Sequence, residues 1–476
     1  MKRLPLIIAL ALITVFAVYF SWFSLGRHWK LNSGRFDLGN MEQVVWNVVH
    51  GHGFVMTDPY GVAQVSRLAF HTDFFLLLVA PIYAVVPSTE TLLLLQALAV
   101  ASGGLAAFFV AKKVLGQAWW GTLFAAVYLF MPGVQWATSF DFHPVTFVPP
   151  LILWAVWAML AKRYWWMLGL VVAALLAKEE VGLLLPAIGL YLWIIRRDRR
   201  WGPALTFGPL AWSLVMFLVV LPHFRLTTEA DAEVYRSVFG TGTTSIISGA
   251  LHRPLTFLHI LVSHQNLIYL KQLLLSSGAI SFFSLWWLAA VPEYLINALS
   301  LKPAQHLLIS HYTSGLTPWL LLSAAWGTAW VRRRLNRKFP GRRWPTTGLI
   351  VIVLASVGFS SWSWSPLPGT PHDQTFVVTW KHPYAHDVRQ WAQIIPSMAK
   401  VSATNDIGSQ FAARQYLYSF PLGVNLSNYV VVLENHATPV VATDAQVTAA
   451  VTQLRADPHW QVLEQQGDLT ILRRRE

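Results

Sequence analysis

Hydrophobic positions along this chain come in blocks, not in alternation. Apolar stretches of about 15–23 residues recur through its first three quarters, separated by short polar or basic segments. Wound as a helix, a stretch of that length matches the hydrocarbon thickness of a bilayer. The pattern predicts spans at about 4–25, 89–111, 117–133, 145–161, 164–177, 181–195 and 203–222, two more within 265–300, then 315–330 and 347–363, about 11 in all. The first stretch is too long for a signal-peptide core, so a retained span is expected. The apolar piece from Phe74 to Val86 is short and carries Pro81. If the lysines that end the next span are cytoplasmic, this piece does not cross and is a re-entrant or interfacial helix.

From about residue 365 the pattern changes to short mixed elements. Val388 to Ser397 reads as a helix and Val401 to Thr404 as a strand, followed by a helix around Gly408 to Tyr416. Tyr429 to Leu433 reads as a buried strand, 444–455 as a helix, and Trp460 to Glu464 with Leu469 to Arg473 as a hairpin. The expected fold is an all-α polytopic membrane protein with a small C-terminal α/β domain. The expected division is a transmembrane domain, 1–364, with a large first outer loop at 26–88, and an extracytoplasmic α/β domain at 365–476.

Composition agrees: 55% of the 476 residues are hydrophobic and 12% are charged, too few charges to cover a soluble surface. Many of the 24 tryptophans sit at the ends of apolar runs, as in Trp119-Trp120, Trp165-Trp166 and Trp362-Ser363-Trp364, the belt expected at headgroup level. A net charge of +13 invites a nucleic-acid reading. The basic residues instead fall in clusters between spans: Lys112-Lys113, Lys162-Arg163, the group Arg196, Arg197, Arg199 and Arg200, and Arg332-Arg333-Arg334. That is the positive-inside rule, and nucleic acid is set aside as a partner. Lys2 and Arg3 then place the N-terminus in the cytoplasm. The chain has no cysteine, which excludes disulfides and thiolate metal sites.

This topology puts the chemistry on one side. Of the acidic residues up to Glu293, only Asp198 falls in a cytoplasmic loop, and all 16 histidines fall outside or in spans. A transporter more usually places such groups at mid-membrane between two related halves, and no such repeat is present. The spans at 164–177 and 181–195 are short, which sinks Lys178-Glu179-Glu180 below the membrane surface at the floor of an outward-facing recess. Three charges there are costly unless they face water, a ligand or one another.

The outer segments carry recognisable strings. The first loop reads Gly34-Arg35-Phe36-Asp37-Leu38-Gly39-Asn40 and continues through Trp46-Asn47 to His50-Gly51-His52-Gly53, then Ser66-Arg67 to His71. Asp141-Phe142-His143-Pro144, Lys178-Glu179-Glu180-Val181 and His311-Tyr312 follow. This order resembles an uncharacterised family of bacterial polytopic membrane proteins, over nearly the whole chain. That family is distantly similar to the GT-C glycosyltransferases. The similarity implies a GT-C-like frame in the bacterial cytoplasmic membrane, with the C-terminal domain outside, and a sugar donor on polyprenyl phosphate. It matches Asp37 to the first-loop acid and Asp141 to a second-loop site. The first loop lacks the Asp-x-Asp, Asp-Glu or Glu-x-Asp pair, which leaves metal dependence open.

Glycosyl transfer needs a base for the acceptor proton and donors or cations for the leaving phosphate. Asp37 suits the base. Arg67, His71 and Lys178 suit the phosphate, and Asp141, His143, Glu179, Glu180, His311 and Tyr312 complete a substrate-binding set. Each has a plainer reading. Asp37 could cap the helix that begins near Leu38, and His71 and Asp73 the helix after them. Asp141 and His143 could shape a turn before Pro144. Glu179 and Glu180 could be structural partners of Lys178. Glu42 reads as a solvated helix residue or a partner of Arg35, and His50 and His52 as loop histidines. Asp37, Asp141 and Glu179 could also hold a divalent cation, although spacing across separate loops gives no specific pattern. The leading expectation is an inverting membrane glycosyltransferase acting on a glycan, lipid or protein acceptor at the outer face. The alternatives are a flippase for lipid-linked sugars and a non-catalytic envelope assembly protein.

Overall fold

A computed structural model describes residues 3–225, 239, 243–435 and 441–475 of the chain. Part of the segment between the spans expected at 203–222 and within 265–300 lies outside the described residues. The apolar blocks form helices: α1 (Leu4–Trp29), α2 (Asn40–Val49), α3 (Phe75–Val85), α4 (Thr89–Leu115), α5 (Ala118–Phe130), α6 (Pro132–Ser139), α7 (Val148–Leu160) and α8 (Tyr164–Leu175), followed by shorter pieces. Among the described residues four helices are long and apolar enough to cross a membrane: α1, α4, Trp201–Phe224 and Trp344–Trp364.

Helix α4 sits at the centre, between α1, α5 and α7. Small residues permit the close approach, because a Cβ at Gly103 would collide with the Tyr128 hydroxyl of α5. Lipid tails are as apolar as the core, so tight van der Waals packing has to supply the association. Helix α4 begins at Ser88, whose hydroxyl accepts from Thr91 N, and ends at Gly116 with φ +78°. Both ends are therefore fixed by local capping.

Two segments depart from the predicted pattern. The region 265–300 contains one 13-residue helix, His264–Ser276, then short 3-10 turns and the nine-residue helix Val291–Leu299, instead of two continuous spans. Its serines bond within the turns and to a neighbour: Ser277 Oγ and Ser281 Oγ lie 2.5 Å apart, and Ser323 Oγ of the neighbouring helix donates to the carbonyls of Ser281 and Ser284 at 2.6 and 3.0 Å. The segment 181–195 is likewise a 3-10 turn at Glu179–Leu183 followed by helical turns over Pro186–Ile195.

The C-terminal part holds a five-stranded mixed sheet. The first loop contributes a separate hairpin, β1 (Val55–Thr57) and β2 (Gln64–Ser66). The later strands are β3 (Val401–Ala403), β4 (Leu417–Ser419), β5 (Tyr429–Leu433), β6 (Trp460–Gln466) and β7 (Leu469–Arg474), in the order β4-β3-β5-β7-β6. Alternation along β5 sends Val431 and Leu433 to a core with Val388 and Phe411, and Val430 and Val432 to a core with Val447 and Val451 of the helix Asp444–Ala456. This is the period-2 pattern of a sheet covered on both faces. The helix expected around Gly408 to Tyr416 is only the turn Asn405–Gly408 and a 3-10 turn after it, with β4 following.

The sheet positions the first loop. Asn405 Oδ1 accepts from Phe36 N at 3.1 Å. Arg35, fully buried, donates to the carbonyls of Leu417 and Thr57 at 2.5 and 3.3 Å. Gln43 Nε2 donates to Gln415 O at 2.9 Å. Only Nη2 of this buried guanidinium is bonded, while Nε and Nη1 have no hydrogen-bond partner among the described residues, so moving it would cost its remaining hydrogen bonds, and the 35–43 segment is held from behind.

Candidate functional site

Asp37 lies in a wide π-helical turn, Arg35–Gly39, in which Gly39 N donates to Gly34 O at 3.1 Å. Such a turn displaces its middle residues from the helical line and is common at functional sites. Asp37 makes no capping hydrogen bond, and its side chain is 42% exposed. It faces His143, whose Nε2 lies 3.4 Å from Asp37 Oδ1.

The other end of that ring fixes its orientation. His143 Nδ1 is 2.9 Å from Asp141 O, a carbonyl that can only accept, so Nδ1 carries a hydrogen. Nε2, the other ring nitrogen, is the one turned toward the Asp37 carboxylate. The ring belongs to an aromatic cluster, stacked on His311 at 3.9 Å between centroids, with Phe140 at 5.5 Å from His143 and 5.8 Å from His311. Burial and then the neighbouring His143 charge hold His311 well below the ordinary histidine range, so it stays neutral. Burial pushes the Asp37 pKa upward, but the hydrogen bond and charge of His143, with Arg27 and Arg67 beyond, outweigh it and hold the acid below its ordinary value.

Asp141 is placed differently. It is buried, forms an ion pair with Arg27 at 3.0 Å and accepts from Gly34 N at 3.0 Å. It therefore ties the end of α1 and the start of the first loop to the second loop. Arg27 was not singled out from the sequence. Its signal is an arginine at the end of the first span opposite the basic N-terminus, where the positive-inside rule does not call for one.

The third carboxylate joins the first loop to the break after α8. Glu179 accepts from His71 Nδ1 at 2.8 Å and from Thr72 N at 3.1 Å, and Phe75 N donates to Leu176 O at 2.7 Å. Lys178 pairs with Glu180 at 2.6 Å. Glu293, buried in the helix Val291–Leu299, also acts on Lys178 and was missed in the sequence. The fields of Lys178 and Asp37 both reach Tyr312, whose pKa is raised by burial, with Lys178 opposing the rise and Asp37 adding to it. His143, His311 and Tyr312 form one contiguous ring stack, with 4.4 Å between the last two. Arg67 is buried and bound to Asp73 through Nε and Nη2 at 2.7 and 2.5 Å.

Glu42 corrects an expectation. It is neither solvated nor a partner of Arg35: it is 1% exposed and accepts from Tyr83 Oη at 2.9 Å and Thr89 Oγ1 at 2.5 Å. It falls four residues after Leu38 and three before Val45, both fully buried, so the helical period already placed it on the inner face. His50 stacks on Trp46 at 3.8 Å, as a loop histidine would. Asp37, Asp141 and Glu179 are engaged by separate partners, and among the described residues no three His, Asp or Glu groups form a set able to hold a metal ion.

Solved structures share this architecture. ArnT from Cupriavidus metallidurans, bound to undecaprenyl phosphate, is 13% identical with a TM-score of 0.51, and 97% of each chain is covered. The arabinofuranosyltransferase AftD from mycobacteria is 13% identical with a TM-score of 0.50, covering 99% of this chain and 41% of that one. At these identities the likeness is one of fold, the fold of GT-C glycosyltransferases. No curated protein matches the chain in sequence. The family described as a predicted membrane protein, DUF2079, matches residues 27–471, and the chain belongs to that family.

Proposed function

We propose that this protein is a multi-pass glycosyltransferase of the bacterial cytoplasmic membrane, with its N-terminus in the cytoplasm, about 11 spans within 1–364, and 365–476 outside. It moves a sugar from a polyprenyl-phosphate donor to a glycan, lipid or protein acceptor on the outer face. The observation that carries this reading is the half-exposed Asp37 carboxylate held against His143 on a GT-C fold. ArnT, of like fold, was solved with undecaprenyl phosphate bound, which supports the lipid class of the donor.

In the proposed step, an acceptor hydroxyl oxygen attacks the anomeric carbon and its proton passes to Asp37. The bond from that carbon to the phosphate oxygen breaks, its electron pair leaves with polyprenyl phosphate, and the anomeric configuration inverts. A base that is ionised at neutral pH is ready before the acceptor arrives. Lys178, paired with Glu180, offers positive charge to the leaving phosphate, and His71, bound to Glu179, and Arg67, bound to Asp73, are the further phosphate donors in this reading. His143 positions Asp37, while His311 and Tyr312 present polar edges to the sugar or phosphate. Asp141, Glu179 and Glu180 hold Arg27, His71 and Lys178 in place around the reacting groups. Helix α3 leaves Leu77, Leu78, Ile82 and Val85 on an exposed apolar face, along which a polyprenyl chain could lie.

The test uses the full chain in proteoliposomes with radiolabelled polyprenyl-phosphate sugars. The expected result is labelled acceptor with release of polyprenyl phosphate. Intact donor carried across the bilayer without bond cleavage would replace the transferase reading with a flippase.

A further inference from the structure

A cavity lies away from Asp37, between the last two turns of α1 and the helix Ala385–Ile394. Its volume is about 370 Å³. Lys30, Lys381, His386 and Arg389 line it, together with Trp22 and Trp29, and no carboxylate is among the lining residues. Lys381, His386 and Arg389 are exposed at the surface, and Lys30 is half-buried. Glu90, beside α1, accepts from the Trp29 indole N–H at 3.0 Å. Lys30, Lys381 and Arg389, with His386 beside them, gather positive charge at this cavity, and an anion between them would offset their mutual repulsion.

The position of the cavity narrows the anion. Helix α1 has 26 residues, about 39 Å of rise, against about 30 Å of hydrocarbon. Its last turn therefore reaches the headgroup layer, and Trp22 and Trp29 are exposed there, at 47% and 38%. Indoles sit at that level because one edge is apolar and the other donates a hydrogen bond. The wall opposite is added by the C-terminal part, with Val378 packed against Gly26. A phosphate at this depth would meet ammonium and guanidinium donors on both sides, with indoles beside its glycerol and upper acyl carbons.

We infer that this cavity is a binding site for a phosphate group, occupied in the membrane by the headgroup of an anionic phospholipid that clasps the C-terminal part to the first helix. It is separate from the transfer site and does not rest on the proposed reaction.

Native mass spectrometry of the full chain, purified in detergent with phosphatidylglycerol or phosphatidylcholine, tests it. Wild type should retain phosphatidylglycerol in preference to phosphatidylcholine. The double variant Lys381→Gln, Arg389→Gln should lose that retention by on the order of tenfold, given the attraction each basic residue contributes near an anionic headgroup. Both side chains are exposed, so the fold should survive; the charge reversal Lys381→Glu, Arg389→Glu, checked by the same elution profile, should abolish retention. Inorganic phosphate at millimolar concentration distinguishes the source. Thermal stabilisation by phosphate alone, in wild type and not in the variants, would keep the phosphate site but replace its lipid occupant. Equal retention of phosphatidylglycerol by wild type and both variants, with no response to phosphate, overturns the site.

Discussion

Asp37 and Glu42 stand little more than one helical turn apart on the same first-loop segment, yet they occupy opposite kinds of place. Asp37 sits in the widened turn, 42% exposed by side chain, against an imidazole. Glu42 lies on the inner face of α2, 1% exposed, against two hydroxyls. Burial raises both acids. At Asp37 the hydrogen bond and charge of His143 outweigh it, so the group is held low. At Glu42 the bonds from Thr89 and Tyr83 pull down less than burial pushes up, and its pKa rises to about 7. The contrast teaches that partner type, a cation in one case and neutral hydroxyls in the other, decides which acid can serve as a base and which ties α2 to α3 and α4.

The largest expected effect breaks this contrast directly. Asp37→Asn should lower transfer by about 10²–10⁴-fold, the range for loss of a general base. Glu42→Gln should leave transfer at neutral pH within a few-fold of wild type. Both rates are read in the reconstituted assay, on protein of unchanged elution profile. Unaltered transfer by Asp37→Asn would remove Asp37 as the base. Equal losses in the two variants would mean that the first loop acts only as scaffold.

Stability should separate the pair as well. A rise of the Glu42 pKa from the ordinary 4.5 to about 7 corresponds to about 3 kcal/mol. Because the folded value lies above the unfolded one, the folded state binds the proton more tightly. This stabilisation is fully present below pH 4.5 and is lost as pH rises through about 7. Glu42→Gln mimics the neutral acid, so its melting temperature should match wild type near pH 4 and exceed it near pH 8. Thermal unfolding in detergent at the two pH values checks this, and an identical pH dependence in wild type and variant would refute it.

The helical frame was legible in the sequence because its signal is long: apolar stretches like that of α4 leave few alternatives, and Lys112-Lys113 close it from one side. The strand Tyr429–Leu433 was legible for a related reason, an unbroken apolar run bounded by polar residues. What stayed hidden depends on contacts between distant positions. Arg27 meets Asp141 across more than a hundred residues, and Asn405 bonds the backbone beside Asp37 from the far end of the chain. No local pattern encodes such pairs. The 265–300 region departs because its apolar content is right for spans, while its serines bond within short turns and Pro292 starts a new helix instead of continuing one. Glu42 was a different failure: the period was readable, but charge was allowed to override it.

The smallest expected effect is the one that sharpens the pairing itself. If His143 is what holds Asp37 low, then His143→Gln removes the positive partner while leaving a polar group in the stack. Burial would then govern Asp37, and its pKa would rise. Transfer depends on the ionised form, so wild-type activity should persist as pH falls and decline only below the ordinary carboxylate range. In His143→Gln the acid limb of that profile should move to higher pH. The rate on the plateau should drop by about tenfold, the cost of a positioning group rather than of the base. A merely structural histidine would lower the plateau without displacing the limb. A displaced limb in His143→Gln that vanishes in the background of Asp37→Asn would tie the titration to this one carboxylate, and with it the difference between Asp37 and Glu42.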